Sequence, residues 1–194
     1  FKNPQRYKLW GNIMHKMAHE LSKPNVGRFL AKCIQCSCPK SYPQAFGEVS
    51  ICRVFLQNFS GDNPRFVAQG FSVAGDHVGQ KSNGYRFPYG PVAIVAPFNF
   101  PLEIPCLQFL GALMMGNKPI LKCASTTSIV MDQFIRLLLY CGAPKNDFCY
   151  IHCGGRVFFG FIKLSKPRTI QFTGSSEVAE KIAEVTHGKV KVED

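Results

Sequence analysis

Apolar positions recur along this chain first with a helical step, and later as short runs that alternate with helical stretches. Tyr7, Trp10, Ile13, Met14, Met17 and Leu21 fall on one side of a helix, and Pro24 with Gly27 ends that stretch. Ala45, Val49, Cys52, Leu56 and Phe59 form a second stripe, closed by Gly61 and Pro64. Two helical segments are therefore expected to open the chain. Asn83-Gly84 then stands between Gln80-Lys81 and Tyr85-Arg86-Phe87. Both residues tolerate the positive φ of a two-residue loop, so the spacing predicts a β-hairpin turning at Asn83-Gly84.

From residue 91 the pattern changes. Val92–Ala96 is a continuous apolar run, followed by a helix-length stretch from Leu102 to Met115. Pro119–Cys123 is the next run, then an amphipathic helix carrying Val130, Phe134, Leu137 and Leu138, stopped by Gly142 and Pro144. Phe148–His152 and Thr169–Phe172 read as strands, Ser176–His187 as a helix buried through Val178, Ile182 and Val185, and Lys189–Val192 as a last strand. Alternation of this kind predicts an α/β fold, a parallel Rossmann-like sheet flanked by helices, with the N-terminal helices and hairpin ahead of it. The expected division is residues 1–90 for packing and oligomerisation elements and 91–194 for the sheet domain.

Composition narrows the function. The 194 residues are 46% apolar and 18% charged, which excludes a disordered chain. No apolar stretch reaches the ~18–20 residues of a membrane span, and the best, Ile104–Gly116, contains Pro105 and Gln108. The net charge is +11, with +8 in residues 1–90 and +3 in the remainder. The basic residues are scattered, with no consecutive run, so nucleic acid is not expected, and the charge fits an anionic small ligand or an alkaline compartment. Nine cysteines is an odd number. Most sit in apolar or helical contexts, as reduced buried thiols do. Cys33, Cys36 and Cys38 lack a second pair at zinc spacing, and His15, His19 and Glu20 lack the zincin order, so no metal site is expected. The chain opens on Phe1, without an initiator Met or a signal-peptide pattern, which points to processing or truncation upstream.

In an open parallel sheet, ligands bind beyond the carboxyl ends of the strands. After the first run stands Pro97-Phe98-Asn99-Phe100-Pro101. Asn99, held out of regular structure by two prolines, is either an oxyanion donor or a turn residue bonded to its own backbone. Lys122 ends the second run and either reaches ribose or phosphate oxygens or is simply solvated. Phe172-Thr173-Gly174-Ser175-Ser176 leads into a helix whose N–H groups suit a pyrophosphate; the alternative is ordinary capping by Ser or Thr. The G-x-G-x-x-G fingerprint is absent. Glu193 ends the last strand, as a general base or a terminal charge.

Taken together, Gly90–Pro101, Gly116–Lys122 and Phe172–Val178 resemble the aldehyde dehydrogenase superfamily, in its order and at its spacing. More narrowly, Asn58–Asn63, Tyr85–Pro91, Pro101–Pro105 and Met115–Pro119 look like the plant-type 1-pyrroline-5-carboxylate dehydrogenases. That resemblance implies NAD as cofactor, a mitochondrial (matrix) location, and oxidation of glutamate γ-semialdehyde to glutamate in proline catabolism. It implies Asn99 as the oxyanion donor and Glu193 as the activator of the deacylating water. Pro97 and Phe98 would line the nicotinamide end, and Lys122 would touch the adenosine ribose. Gly174 and Ser175 would lie below the pyrophosphate, with Val178 packing nearby. Ser125 stands where many relatives carry a ribose-binding Glu, so that contact is expected to be weaker or rearranged. The family's nucleophilic Cys lies beyond the Glu motif and matches none of the nine cysteines. A truncated chain without a catalytic domain, inactive alone and serving as a structural or interaction subunit, is the alternative expectation. A protein partner or homo-oligomer is expected in either case. Phe158, Phe159 and Phe161 depart from the polar helix of the narrower group.

Overall fold

A computed structural model describes residues 4–188 and 190–193, the last four through their backbone. The chain opens with helices α1 (Pro4–Ser22), α2 (Pro24–Ser37), α3 (Tyr42–Ser60) and the short α4 (Asn63–Val67). Strands β1 (Phe71–Ala74) and β2 (Lys81–Gly84) follow as an antiparallel pair. Next come β3 (Pro91–Val95), α5 (Glu103–Met114), β4 (Lys118–Lys122), α6 (Ser128–Tyr140) and β5 (Cys149–Tyr150). The remainder is α7 (Gly155–Ser165), β6 (Thr169–Thr173), α8 (Ser176–Thr186) and β7 (Val190–Glu193). The last five strands form one parallel sheet in the order β5-β4-β3-β6-β7. The chain runs outward from β3 to β5, then crosses back to β6 beside β3. The order thus reverses between β3 and β6, where a crevice opens.

Alternation along the strands divides the interior in two. Ile94 and Leu121 point into a large core shared with α1, α2, α3, α5 and α6. Ala93, Val95, Ile170 and Phe172 point the other way, under Phe158 and Ile162 of α7 and Ala179 and Ile182 of α8. Successive strand residues face opposite sides, so a sheet buried on both faces reads as an unbroken apolar run. Among the described residues no helix is long and apolar enough to cross a membrane.

Three details differ from the sequence reading. The opening holds three long helices, because Pro24 starts α2 instead of ending the helical region. Proline is tolerated in a first turn, where its missing N–H would have no partner, and it only forces Lys23 before it into extended backbone. Second, Asn83-Gly84 lies inside β2, with Asn83 opposite Ser72 and Gly84 opposite Phe71. The hairpin turns instead through Gly75–Gln80, where Gly79 has φ +80° and Gln80 Oε1 accepts from the His77 N–H at 3.2 Å. Gly84 is needed for another reason: the Phe71 ring occupies the place its Cβ would take. Third, β5 is two residues long where five were expected, since only Cys149 and Tyr150 pair with β4.

Helix α1 is tied to the sheet by a polar cluster at the strands' amino ends. Asp147 Oδ2 accepts from Trp10 Nε1 at 3.0 Å, and its Oδ1 lies 2.6 Å from Lys118 Nζ. Burial pushes the Asp147 carboxyl up, but the bonds from Lys118 and Trp10, with the Lys118 and Arg6 charges, outweigh it and hold the group below the ordinary carboxylate range. A carboxylate depressed in the folded state stabilises above its unfolded pKa and loses that contribution as pH falls through the folded value. Asp147→Asn should therefore lower stability at neutral pH by roughly 1–3 kcal/mol. The difference from wild type should shrink as the pH is taken below ~4. Urea midpoints measured from pH 3 to 7 check this, and a pH-independent difference would contradict it.

Candidate functional site

The crevice predicted by the strand order is a cleft of about 690 Å³ at the carboxyl ends of β3, β4 and β6. Val95, Ala96, Pro97, Phe98, Asn99, Phe100 and Ile104 line one wall, Lys122 and Ala124 extend it past β4, and Phe172–Ser175 with Val178 form the other. Gly155 and Phe159 of α7 complete the lining. Seven of the sequence-predicted residues thus share one cavity: Pro97, Phe98, Asn99, Lys122, Gly174, Ser175 and Val178.

Each is placed by local chemistry. The bend through Phe98–Phe100 leaves Phe98 62% exposed at the cleft mouth. The Asn99 side chain makes no hydrogen bond among the described residues, so the turn-satisfying alternative has no support in its contacts. The Ala96 N–H donates to the Lys122 carbonyl at 3.1 Å, which fixes the ends of β3 and β4 side by side. Lys122 carries the one charged side chain in the described lining. Across the cleft, Gln108 Nε2 of α5 donates to Thr173 Oγ1 at 2.8 Å and pins the end of β6. Gln108 is 3% exposed. It was readable as a polar residue in the middle of an apolar helix, but its target is 65 positions away.

Ser175 is the N-cap residue of α8, yet its hydroxyl makes no capping bond. The N–H groups of Val178 and Ala179 reach the Ser175 carbonyl at 3.1 Å each, which leaves those of Ser176 and Glu177, at the positive end of the helix dipole beside the cleft, without acceptors among the described residues. A Cβ on Gly174 would stand 2.7 Å from Phe172 Cζ, so the absence of a side chain lets the ring and the turn pack together. A single cation, an uncapped helix start and apolar walls fit a ligand with anionic oxygens between flat apolar ends.

Two predicted residues stand apart. Ser125 is exposed and faces a separate hollow of about 250 Å³ lined by Cys123, Ser128, His152, Cys153 and Gly154. Its Oγ donates to the Cys153 carbonyl at 3.4 Å. Glu193 holds the β7 position paired with Thr173, at the cleft end of the sheet, and its side chain lies outside the described residues. Among the described residues no cysteine lines the cleft. The nearest in sequence to its floor, Cys123, is buried, and burial pushes its thiol up to about 12 against the opposing influence of Tyr150 and Lys122. A thiol in that state is not a nucleophile at neutral pH.

The sequence pattern of the aldehyde dehydrogenase family matches residues 6–193. The chain belongs to that family. It is 54% identical over all its 194 residues to Delta-1-pyrroline-5-carboxylate dehydrogenase 12A1, mitochondrial, of Arabidopsis thaliana. It is 53% identical over the same length to a probable aldehyde dehydrogenase of Linum usitatissimum. In each case it spans about a third (35%) of the relative's length. The fold is shared with the crystal structure of succinic semialdehyde dehydrogenase from Streptococcus pyogenes in complex with NADP+. The TM-score is 0.87 at 20% identity, over 99% of this chain and 42% of that one.

Proposed function

We propose that this chain forms the dinucleotide-binding and oxyanion-stabilising part of an NAD-dependent aldehyde dehydrogenase that oxidises glutamate γ-semialdehyde to glutamate. The observation that carries the reading is the convergence of Asn99, Lys122 and the start of α8 on one cleft. Substrate and mitochondrial matrix location rest on the resemblance to the Arabidopsis enzyme.

Lys122 Nζ would donate to ribose hydroxyls, and the N–H groups of Ser176 and Glu177 to the pyrophosphate. Pro97 and Phe98 would confine the nicotinamide end and keep water from it. Bound NAD supplies the hydride acceptor. Asn99 would donate its amide N–H to the aldehyde oxygen as that oxygen takes up negative charge, an interaction stronger in the transition state than in the ground state. Glu193 would activate the water that releases the acid.

Titration with NAD by calorimetry tests the cofactor half of this reading. Saturable binding is expected, and Lys122→Met should weaken it by roughly tenfold, about 1.4 kcal/mol, through loss of charge-assisted bonds. No heat at millimolar NAD would remove the proposal. A second reading, a non-catalytic subunit that works through contacts with a partner or another copy, draws on two observations. No cysteine lines the cleft among the described residues, and the hairpin leaves Phe71, Val73, Val78, Tyr85 and Phe87 exposed. NAD binding by the purified chain, beside its size in solution, decides between the two: saturable binding supports the first reading, and self-association without NAD binding the second.

A further inference from the structure

Helix α5 starts directly after the Asn99 segment, yet its own sequence gives it no cap. The residues at its start are Pro101-Leu102-Glu103, and Leu102, in the N-cap position, has no side-chain oxygen to offer the orphan N–H groups. The acceptor comes from α3. Glu48 Oε2 receives the Leu102 N–H at 3.0 Å and the Glu103 N–H at 3.1 Å. Its other oxygen, Oε1, lies 2.7 Å from Lys40 Nζ. Glu48 is 2% exposed, and among the described residues it is the one buried acidic side chain. Lys40 closes the circuit, because its Nζ stands 3.7 Å from the centroid of the Phe100 ring. Phe100 is the residue after Asn99.

Resting on the functional reading above, we infer that Glu48 is a positioning residue for aldehyde oxidation. Its carboxylate anchors the start of α5, and through Lys40 the Phe100 ring, so the Asn99 segment is held through Phe100 and through the N–H groups of Leu102 and Glu103. A buried anion at a helix N-terminus has a charge reason to be there, since dipole and orphan N–H groups both favour it. It also has a geometric consequence. An oxyanion donor must be held within a fraction of an ångström of its working place, and Asn99, with no hydrogen bond of its own among the described residues, has to inherit its position from its neighbours. Lys40 and Glu48 belong to the N-terminal helical layer, so that layer acts on the chemistry as well as covering the sheet.

Glu48→Gln in the intact protein tests this. It keeps the shape and one acceptor but removes the charge on which Lys40 and two N–H groups depend. Exchange of the Leu102 and Glu103 amides, the two that donate to Glu48, should quicken at least tenfold, while α1 and α2 exchange as in wild type. The turnover number with aldehyde should fall at least tenfold, with the Kd for NAD held within twofold. Lys40→Met leaves the bonds to α5 in place and frees the Phe100 ring, so turnover should fall while the Leu102 and Glu103 amides stay protected; it carries the turnover comparison should Glu48→Gln not fold. Unchanged exchange at Leu102 and Glu103 in Glu48→Gln would overturn the inference. So would quickening spread evenly over α1–α3, or local loosening with undiminished turnover. Failure of wild type to bind NAD would sink the functional reading instead, and the exchange measurement would then decide the anchoring alone.

Discussion

Phe109→Ala is expected to cost roughly 3–5 kcal/mol of stability, the range found when a fully buried aromatic is truncated and its cavity only partly collapses. Phe109 is fully buried on the inner face of α5, with its ring edge-on to Phe148 at 5.2 Å between centroids. For a chain of this size that loss shifts the thermal midpoint by on the order of 10 °C. The neighbouring residue, Gln108, pins Thr173, and the start of the same helix rests on Glu48. The variant should therefore loosen the cleft as well as the core. Urea unfolding followed by circular dichroism measures the first effect, and a change below ~1 kcal/mol would mean that α5 repacks freely around the gap.

Gly174→Val is expected to reduce NAD affinity by roughly 10- to 100-fold, about 1.4–2.8 kcal/mol, while the fold persists. The backbone at Gly174 does not have positive φ, so conformation alone does not forbid a side chain. Space forbids it. The new Cβ would meet the Phe172 ring, itself 3% exposed, and either the ring or the turn must move. Each movement displaces the first-turn N–H groups of α8 from the line along which a pyrophosphate would approach. Calorimetry with NAD on the folded variant reads the effect. Affinity within threefold of wild type would place the dinucleotide elsewhere.

The α/β fold was legible because its signals are local. Val92–Val95 and Ile170–Phe172 read as buried strands since both faces of the sheet are covered, and Gly142 with Pro144 marked the end of α6. The hairpin showed where such signals fail. Asn83-Gly84 has the chemistry of a tight turn, yet it is paired inside β2, because the register that lets Phe71 lie over Gly84 places the reversal at Gly75–Gln80. Pro24 misled in the same way, since a proline that cannot continue one helix is well suited to begin the next.

The candidate site divides along the same line. The sequence by itself determined which residues stand at strand ends, because apolar runs stop where the sheet stops: Asn99, Lys122 and Gly174 could be named from spacing and motif. Tertiary structure alone decided that they face one cleft and that Ser125 turns to another. It also decided that Glu48 and Gln108, 54 and 65 positions from their partners, secure the cleft's two walls. The physical reason is that a run of side chains encodes its own periodicity. The acceptor for an orphan N–H can come from anywhere the chain folds back, and no local pattern records which segment will arrive.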